Sequence, residues 1–558
     1  MTRINILVRA SLVLLFLLVT MCAIAQVPFP QTTGVPTIID AHQTSFQQQT
    51  HFLTFIGSFK PESAQSAAAY YDAIDPNRSK RTFQSWLVNA GFIQDPSEWN
   101  PTGPQTVIHD PSQHGYAKIL ADAHVIVLNA ADLGFVRNQF IRCVPSCTAK
   151  NPKVYTYLEN YPVNAFADSH AGRSGFPINT GYPTQAEATL AIQSALQRPV
   201  GPYAGCSTGD TFLGCGTQRI ADVAFEWAPP ENSPNSSTRY GTTWAFVFSI
   251  DGSGNVNETI SVPPPGFSPA LAGKPIPNFA NPRDNTLTIG PNDPFPPNLD
   301  FRGFKQHPGV CFICHGGQPA TLTTTGAYPN GGNVNGFRFL PLDNRNLFFS
   351  SDGGASCDRS NPSTDLTSRA CQEPDIKIYN QAVLLTVSQA KENDGTGTIR
   401  QAHLAEVIKG WYASFEGDQT MSRATQFSDF IPVGWRESLG APPGSERLYR
   451  EVVGPSCRSC HFNRELSLDF GTYKNFKQES DLQQLALLPF CNSFDPFYKV
   501  DPKLRPMPLA LLTFQRFWEA NTSTGKTLAD GTLISNTGDQ LAKYFGYNGV
   551  AGYCATNP

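Results

Sequence analysis

Two five-residue stretches constrain this chain more than any other feature: Cys311-Phe312-Ile313-Cys314-His315 and Cys457-Arg458-Ser459-Cys460-His461. Both read C-x-x-C-H, and their first cysteines are 146 residues apart. Two thiols at this spacing can bond to one edge of a rigid flat ring, while the adjacent imidazole turns onto one face of it. That is the geometry needed to attach haem covalently, with thioethers to the vinyl groups and an axial nitrogen on the iron. At the Cys and His frequencies of this sequence, a chance match is expected about 0.005 times. A thioredoxin-like redox C-x-x-C or half of a zinc site also uses such cysteines. Neither calls for the trailing His twice, and a zinc site would want the two pairs close together. The motifs therefore predict two c-type haems on Cys311, Cys314, Cys457 and Cys460, with His315 and His461 as metal ligands.

Around the second motif the chain resembles c-type cytochromes over about residues 440–525. Leu448, Tyr449, Val452 and Val453 recur at helical spacing in the segment from Ser445 into Pro455-Ser456-Cys457, and cytochrome c domains have such a helix before the haem site. Arg505-Pro506-Met507-Pro508 is similar to the Met-Pro loop that presents the sixth ligand in that family. Leu511, Phe514 and Trp518 then fall on one helical face, resembling its aromatic C-terminal helix. A long Pro- and Phe-containing insertion around 488–497 departs from the pattern. The resemblance implies Met507 as the second metal ligand opposite His461. A thioether raises the potential, and a six-coordinate iron passes electrons and binds no substrate.

The sixth ligand of the first haem stays open at this point. Gly316-Gly317 after His315 is common after cytochrome haem motifs and gives the backbone room beside a porphyrin. Met421, His403 and His307 are the alternatives, together with an open or water-occupied iron. An electron-transfer protein relaying electrons between redox partners is the favoured function. The competing one is a haem-dependent oxidoreductase resembling dihaem cytochrome c peroxidases, with catalysis at the first haem. That chemistry needs an acid or base near the iron, and Glu373 is the candidate, against the plainer reading of an exposed loop carboxylate.

The first 25 residues read as a signal peptide, with Arg3 and Arg9 before the apolar run 12–19 and Ala23-Ile24-Ala25 as the cleavage site. The expected location is periplasmic or secreted, with no membrane span after cleavage. A net charge of −4 and a pI near 6.2 argue against a nucleic-acid partner. In an oxidising compartment thiols pair. Of the 13 cysteines, one lies in the signal and four in the motifs, which leaves eight. Proximity suggests Cys143–Cys147, Cys206–Cys215 and Cys357–Cys371, with Cys491 and Cys554 left for each other, although spacing alone does not fix the connectivity.

Only 15% of residues are charged, with 45 Gly and 46 Pro, which predicts long loops. We expect an α+β fold: a mixed N-terminal domain followed by mainly α, cytochrome c-like haem domains. The expected division is 1–25 signal peptide, 26–262 α+β domain, 263–300 Pro-rich linker, 301–435 first haem domain and 436–558 second haem domain. Within 26–262, helices are predicted over 64–74, 80–90 and 184–197, the last with a Thr184-x-x-Glu187 capping box. Ala221, Val223, Phe225 and Trp227 alternate with Asp222 and Glu226 as a strand. Thr242, Trp244, Phe246, Phe248 and Ile250 make another, turning at Asp251-Gly252 into 256–262. His109, Asp110 and His114, and separately Asp168 and His170, are weak metal candidates, better read as loop residues.

Overall fold

The computed structural model describes residues 64–101, 103–129, 134–162, 185–197, 221–230, 241–249, 311–317, 320–351, 357–361, 363–387, 403–412, 429–461, 469–482 and 537–546, with a few shorter pieces. Two helices come first, α1 (Ala64–Ile74) and α2 (Phe83–Ala90). Thr82 caps α2 by accepting from the Ser85 amide, and Gly91 ends it in the left-handed conformation that glycine adopts without strain. A short parallel pair, β1 (Thr106–Ile108) and β2 (Lys118–Leu120), leads to the main sheet.

The sheet has six antiparallel strands: β3 (Ala123–Asn129), β4 (Phe135–Val144), β5 (Lys153–Pro162), β6 (Ala221–Ala228), β7 (Thr242–Ser249) and β10 (Leu347–Phe348). Their spatial order is β10-β3-β4-β5-β6-β7. The strands read at β6 and β7 are present, but all eight β6 residues are buried, so burial does not alternate along it; Ile250, the Asp251-Gly252 turn and 256–262 lie outside the described residues. Its acids are paired: Glu226 meets Lys80 at 2.7 Å, and Asp222 lies 3.9 Å from Arg219. α3 (Gln185–Leu196) packs Ala188, Ile192 and Ala195 on Ile126, Leu128, Val136 and Tyr161. On the same face, Phe83 and Trp86 of α2 meet Tyr157 edge-on. Aromatic packing there supplies both area and orientation.

The opposite face is covered by segments beyond the proline-rich stretch. That stretch contributes a two-residue ladder, β8 (Pro275–Ile276) with β9 (Leu287–Thr288). Then come α4 (Phe312–His315), β10, α5 (Arg369–Val387) and α6 (His403–Trp411). Gln372 of α5 accepts from the Ile126 amide at 2.6 Å and donates to the Ile126 carbonyl at 2.7 Å. Buried backbone groups on β3 that β10 does not reach are satisfied in this way. One hydrophobic core therefore runs from Tyr70 through the sheet to Tyr412, joining the α+β segment and the segment of the first motif.

A second core lies around Trp435, Tyr449, Phe470 and Phe476. The helix expected before the second motif is present in pieces: α7 (Ser445–Leu448), a π-helical turn (Tyr449–Val453), α8 (Gly454–Ser456) and α9 (Arg458–His461). Leu448, Tyr449, Val452 and Val453 are all buried, as their spacing predicts. α10 (Tyr473–Leu482) and α11 (Thr537–Tyr544) flank this core. The fold is thus mixed α and β. No helix among the described residues is long and apolar enough to cross a membrane.

Candidate functional site

The first motif begins with Cys311, whose amide donates to the Pro308 carbonyl at 2.8 Å. One helical turn then brings the His315 amide to the Cys311 carbonyl at 3.0 Å. Phe312 is buried and meets Phe337 edge-on at 4.8 Å, which anchors the turn. Gly316 and Gly317 both have positive φ. A side chain at Gly317 would collide with Val334 Cγ1 at 2.6 Å. The space at Gly317 is taken by the chain's own turn around Val334.

His315 is held from two sides. Its ring stacks on Phe225 of β6 at 4.6 Å, and its Nδ1 lies 2.8 Å from the Arg338 carbonyl. A carbonyl only accepts, so Nδ1 carries the hydrogen and the lone pair sits on Nε2. Burial also pushes the imidazole down to about 4, which keeps it neutral at ordinary pH. A neutral, oriented imidazole is the form that ligates a metal.

Beside His315 opens a cavity whose non-atom space is about 710 Å³, open solvent at its mouth included. Cys314 and His315 line it, and so do Ser459 and Cys460 of the second motif. The far wall is one face of the sheet. The register places Arg137 and Gln139 of β4 on the same face as Thr156 and Leu158 of β5 and Phe225 of β6. Tyr379 of α5 completes it. None of these wall residues carries a local motif. Period-two alternation in β6 marks Phe225 as buried, but only strand pairing brings it to His315.

The two motifs meet. Cys314 Sγ and Cys460 Sγ are 3.6 Å apart. The residues between the second pair of cysteines hold this contact. Arg458 Nε and Nη2 donate to Asp343 Oδ2 and Oδ1 at 2.9 and 2.7 Å. Asn346 Nδ2 donates to Ser459 Oγ at 2.9 Å. Arg458 also lies over the Trp411 ring at 5.1 Å. Burial disfavours its charge, but Asp343, Tyr449 and Asp429 together more than offset this, and the guanidinium is held above its ordinary range. A side chain at Gly454 would overlap Arg345 Nη1, and Arg345 pairs with Asp429 at 3.2 Å beneath the motif.

His461 stacks on Phe470, with the rings 3.9 Å apart and 3° from parallel. Cys457 is buried, which pushes its thiol up to about 12. Met507, Met421 and His307 lie outside the described residues. His403 is not at the first motif's cavity. Its Nδ1 pairs with Asp469 Oδ1 at 2.6 Å, in the segment after the second motif, and its ring fills the space a side chain at Gly471 would need. Glu373 is a helical residue of α5, bonded to Arg369 at 2.8 Å and Asn344 at 3.1 Å, and does not line the cavity. The loop reading for it does not hold, because α5 carries it.

Cys143–Cys147 and Cys357–Cys371 are disulfides, as proximity suggested. Cys206, Cys215, Cys491, Cys554, Asp168 and His170 lie outside the described residues. His109 and His114 are separately engaged, by the Ala121 carbonyl and by Glu98. Among the described residues, the one group of three ligand atoms within 4.8 Å of each other is Asp122 with Cys143 and Cys147. Those two sulfurs are bonded to each other. The motif cysteines thus do not converge as the four ligands of a tetrahedral zinc would, with bonds near about 2.3 Å. Comparison with protein-family models, with curated proteins and with solved structures gives no match.

Proposed function

We propose that this chain is an exported, periplasmic or secreted dihaem c-type cytochrome that transfers electrons between redox partner proteins. The observation that carries this reading is the 3.6 Å contact between Cys314 and Cys460. Each is the second cysteine of its motif. If each forms a thioether, the attached porphyrin carbons are separated by no more than that gap plus two carbon–sulfur bonds. The two haem rims would then adjoin, which is the arrangement a relay needs.

The residues fit the group. Cys311, Cys314 and His315 would hold one haem, and Cys457, Cys460 and His461 the other. Bound haem supplies one-electron chemistry at iron. The chain's own contribution is positional. Arg338 fixes the His315 tautomer, Phe225 and Phe470 fix the imidazole planes, and Arg458 and Asn346 clamp one motif to the other. Met507 remains the proposed sixth ligand of the second iron, within a cytochrome c-like domain. Its replacement by Ala should abolish the sulfur-to-iron absorption band, and an unchanged band would refute the ligation. The attachment itself is tested by the mass of the exported protein and by its alkaline pyridine spectrum. Two haems per chain are expected, and none would overturn the proposal.

A second reading, haem-dependent oxidation at the first haem, is favoured by the cavity at His315 and its polar wall. Added cyanide or peroxide separates the two readings. Ligand binding by the first haem supports oxidation, and refusal by both haems supports pure electron transfer.

A further inference from the structure

The Cys143–Cys147 disulfide stands apart from both motifs and from the cavity beside His315. It closes a four-residue separation at the end of β4. Asp122, just before β3, reaches across to it. The Asp122 amide donates to the Ile141 carbonyl at 2.9 Å, and its Oδ2 accepts from the Cys143 amide at 2.7 Å. The same oxygen lies 3.7 Å from Cys147 Sγ, and a carboxylate oxygen and both sulfurs lie within 4.8 Å of one another. At Cys357–Cys371, no Asp, Glu or His among the described residues comes that close to both sulfurs.

Binding the Cys143 amide needs only an acceptor, which Asn would supply as well. A carboxyl beside the sulfurs adds a proton that can be given and taken. Burial raises the Asp122 carboxyl above its ordinary value, against the Cys143 amide, Arg142 and His109, which favour its charge. Arg142 is turned to the Gly91 carbonyl after α2, and His109 Nδ1 lies 2.7 Å from the Ala121 carbonyl. Cys147 is the outer sulfur, 8% exposed against 2% for Cys143, and Thr148 beside it is exposed.

We propose that Cys143 and Cys147 form a thiol–disulfide exchange site, with Asp122 as its proton donor and acceptor and a dithiol as its reductant. A thiolate of the dithiol bonds to Cys147 Sγ, giving a mixed disulfide. The Cys143–Cys147 bond breaks with its electron pair on Cys143 Sγ, which takes the Asp122 proton. The second thiol of the dithiol then gives its proton to the Asp122 carboxylate and attacks its own sulfur in the mixed disulfide. Cys147 Sγ leaves with the electron pair and takes that proton. The dithiol is oxidised to a disulfide by two electrons, Cys143 and Cys147 become thiols, and Asp122 regains a proton from water.

The test uses the full chain, in whatever haem state it is isolated, beside its Asp122→Asn variant. Dithiothreitol is added across about pH 5 to 8, acid stops the reaction, and alkylated peptides are counted by mass for each cysteine. Dithiothreitol thiolate grows with pH, while protonated Asp122 declines above its titration. The wild-type logarithmic rate should therefore rise and then level off. Asp122→Asn keeps the acceptor for the Cys143 amide but has no proton to give, so its rate should climb without a break. At the acid end it should be slower than the wild type by roughly a hundredfold, the low end of what a positioned acid contributes. A wild-type profile without the break overturns the proposal, as does a variant that keeps it. A pair that dithiothreitol reduces only after the protein unfolds overturns it too. Should Asp122→Asn fail to fold, the wild-type break decides alone.

Discussion

Cys314 Sγ lies 3.6 Å from Cys460 Sγ across 146 residues of chain. This contact brings two separately read motifs together. It also gives the sheet its place, since the cavity beside the paired motifs is closed by β4, β5 and β6.

The thiol contact can be tested directly, whatever the motifs bind. In haem-free chain, dibromobimane should bridge Cys314 and Cys460 and yield a fluorescent cross-linked peptide pair. Cys314→Ser should abolish it. Equal bridging of Cys314 to Cys311 and to Cys460 would speak against the docked arrangement.

Breaking the clamp should destabilise the protein strongly. Arg458 and Asp343 are both buried and bonded twice, so Arg458→Gln should cost about 3–5 kcal/mol by leaving a buried charge uncompensated. Replacing both, as Arg458→Met with Asp343→Leu, should recover much of that loss. Urea denaturation of the two variants checks the difference.

The Cys357–Cys371 bridge closes a 14-residue separation. Removing it as a Cys357→Ser, Cys371→Ser pair should cost about 3 kcal/mol in the chain-entropy view. The same measurement reads it. A loss near zero would show that ion pairs such as Arg359–Asp375 already hold that loop.

Alkali should unfold the protein partly through the cavity wall. Burial pushes Tyr379 from its ordinary 10.0 up to about 12. Its contribution is whole below pH 10.0, where folded and unfolded chains both keep the proton. It is lost as pH rises toward 12, because the unfolded chain releases the proton first. Tyr379→Phe should flatten the fall of stability over that window. An unchanged profile would assign the fall to other buried tyrosines, such as Tyr412.

The sequence by itself determined what is local. It held the two C-x-x-C-H motifs, the buried stripe of Leu448, Tyr449, Val452 and Val453, the strands β6 and β7, and the disulfides of short span. Each rests on spacing within one turn, one strand or one small loop. Periodicity states which face of an element is apolar, not what that face meets. Only the tertiary structure decided that the motifs touch, that Phe225 stacks on His315, that Arg458 reaches Asp343, and that His403 sits with Asp469 away from the first motif. Those pairings span 66 to 146 residues or depend on strand register. They follow from how whole elements exclude water together, which no local pattern encodes.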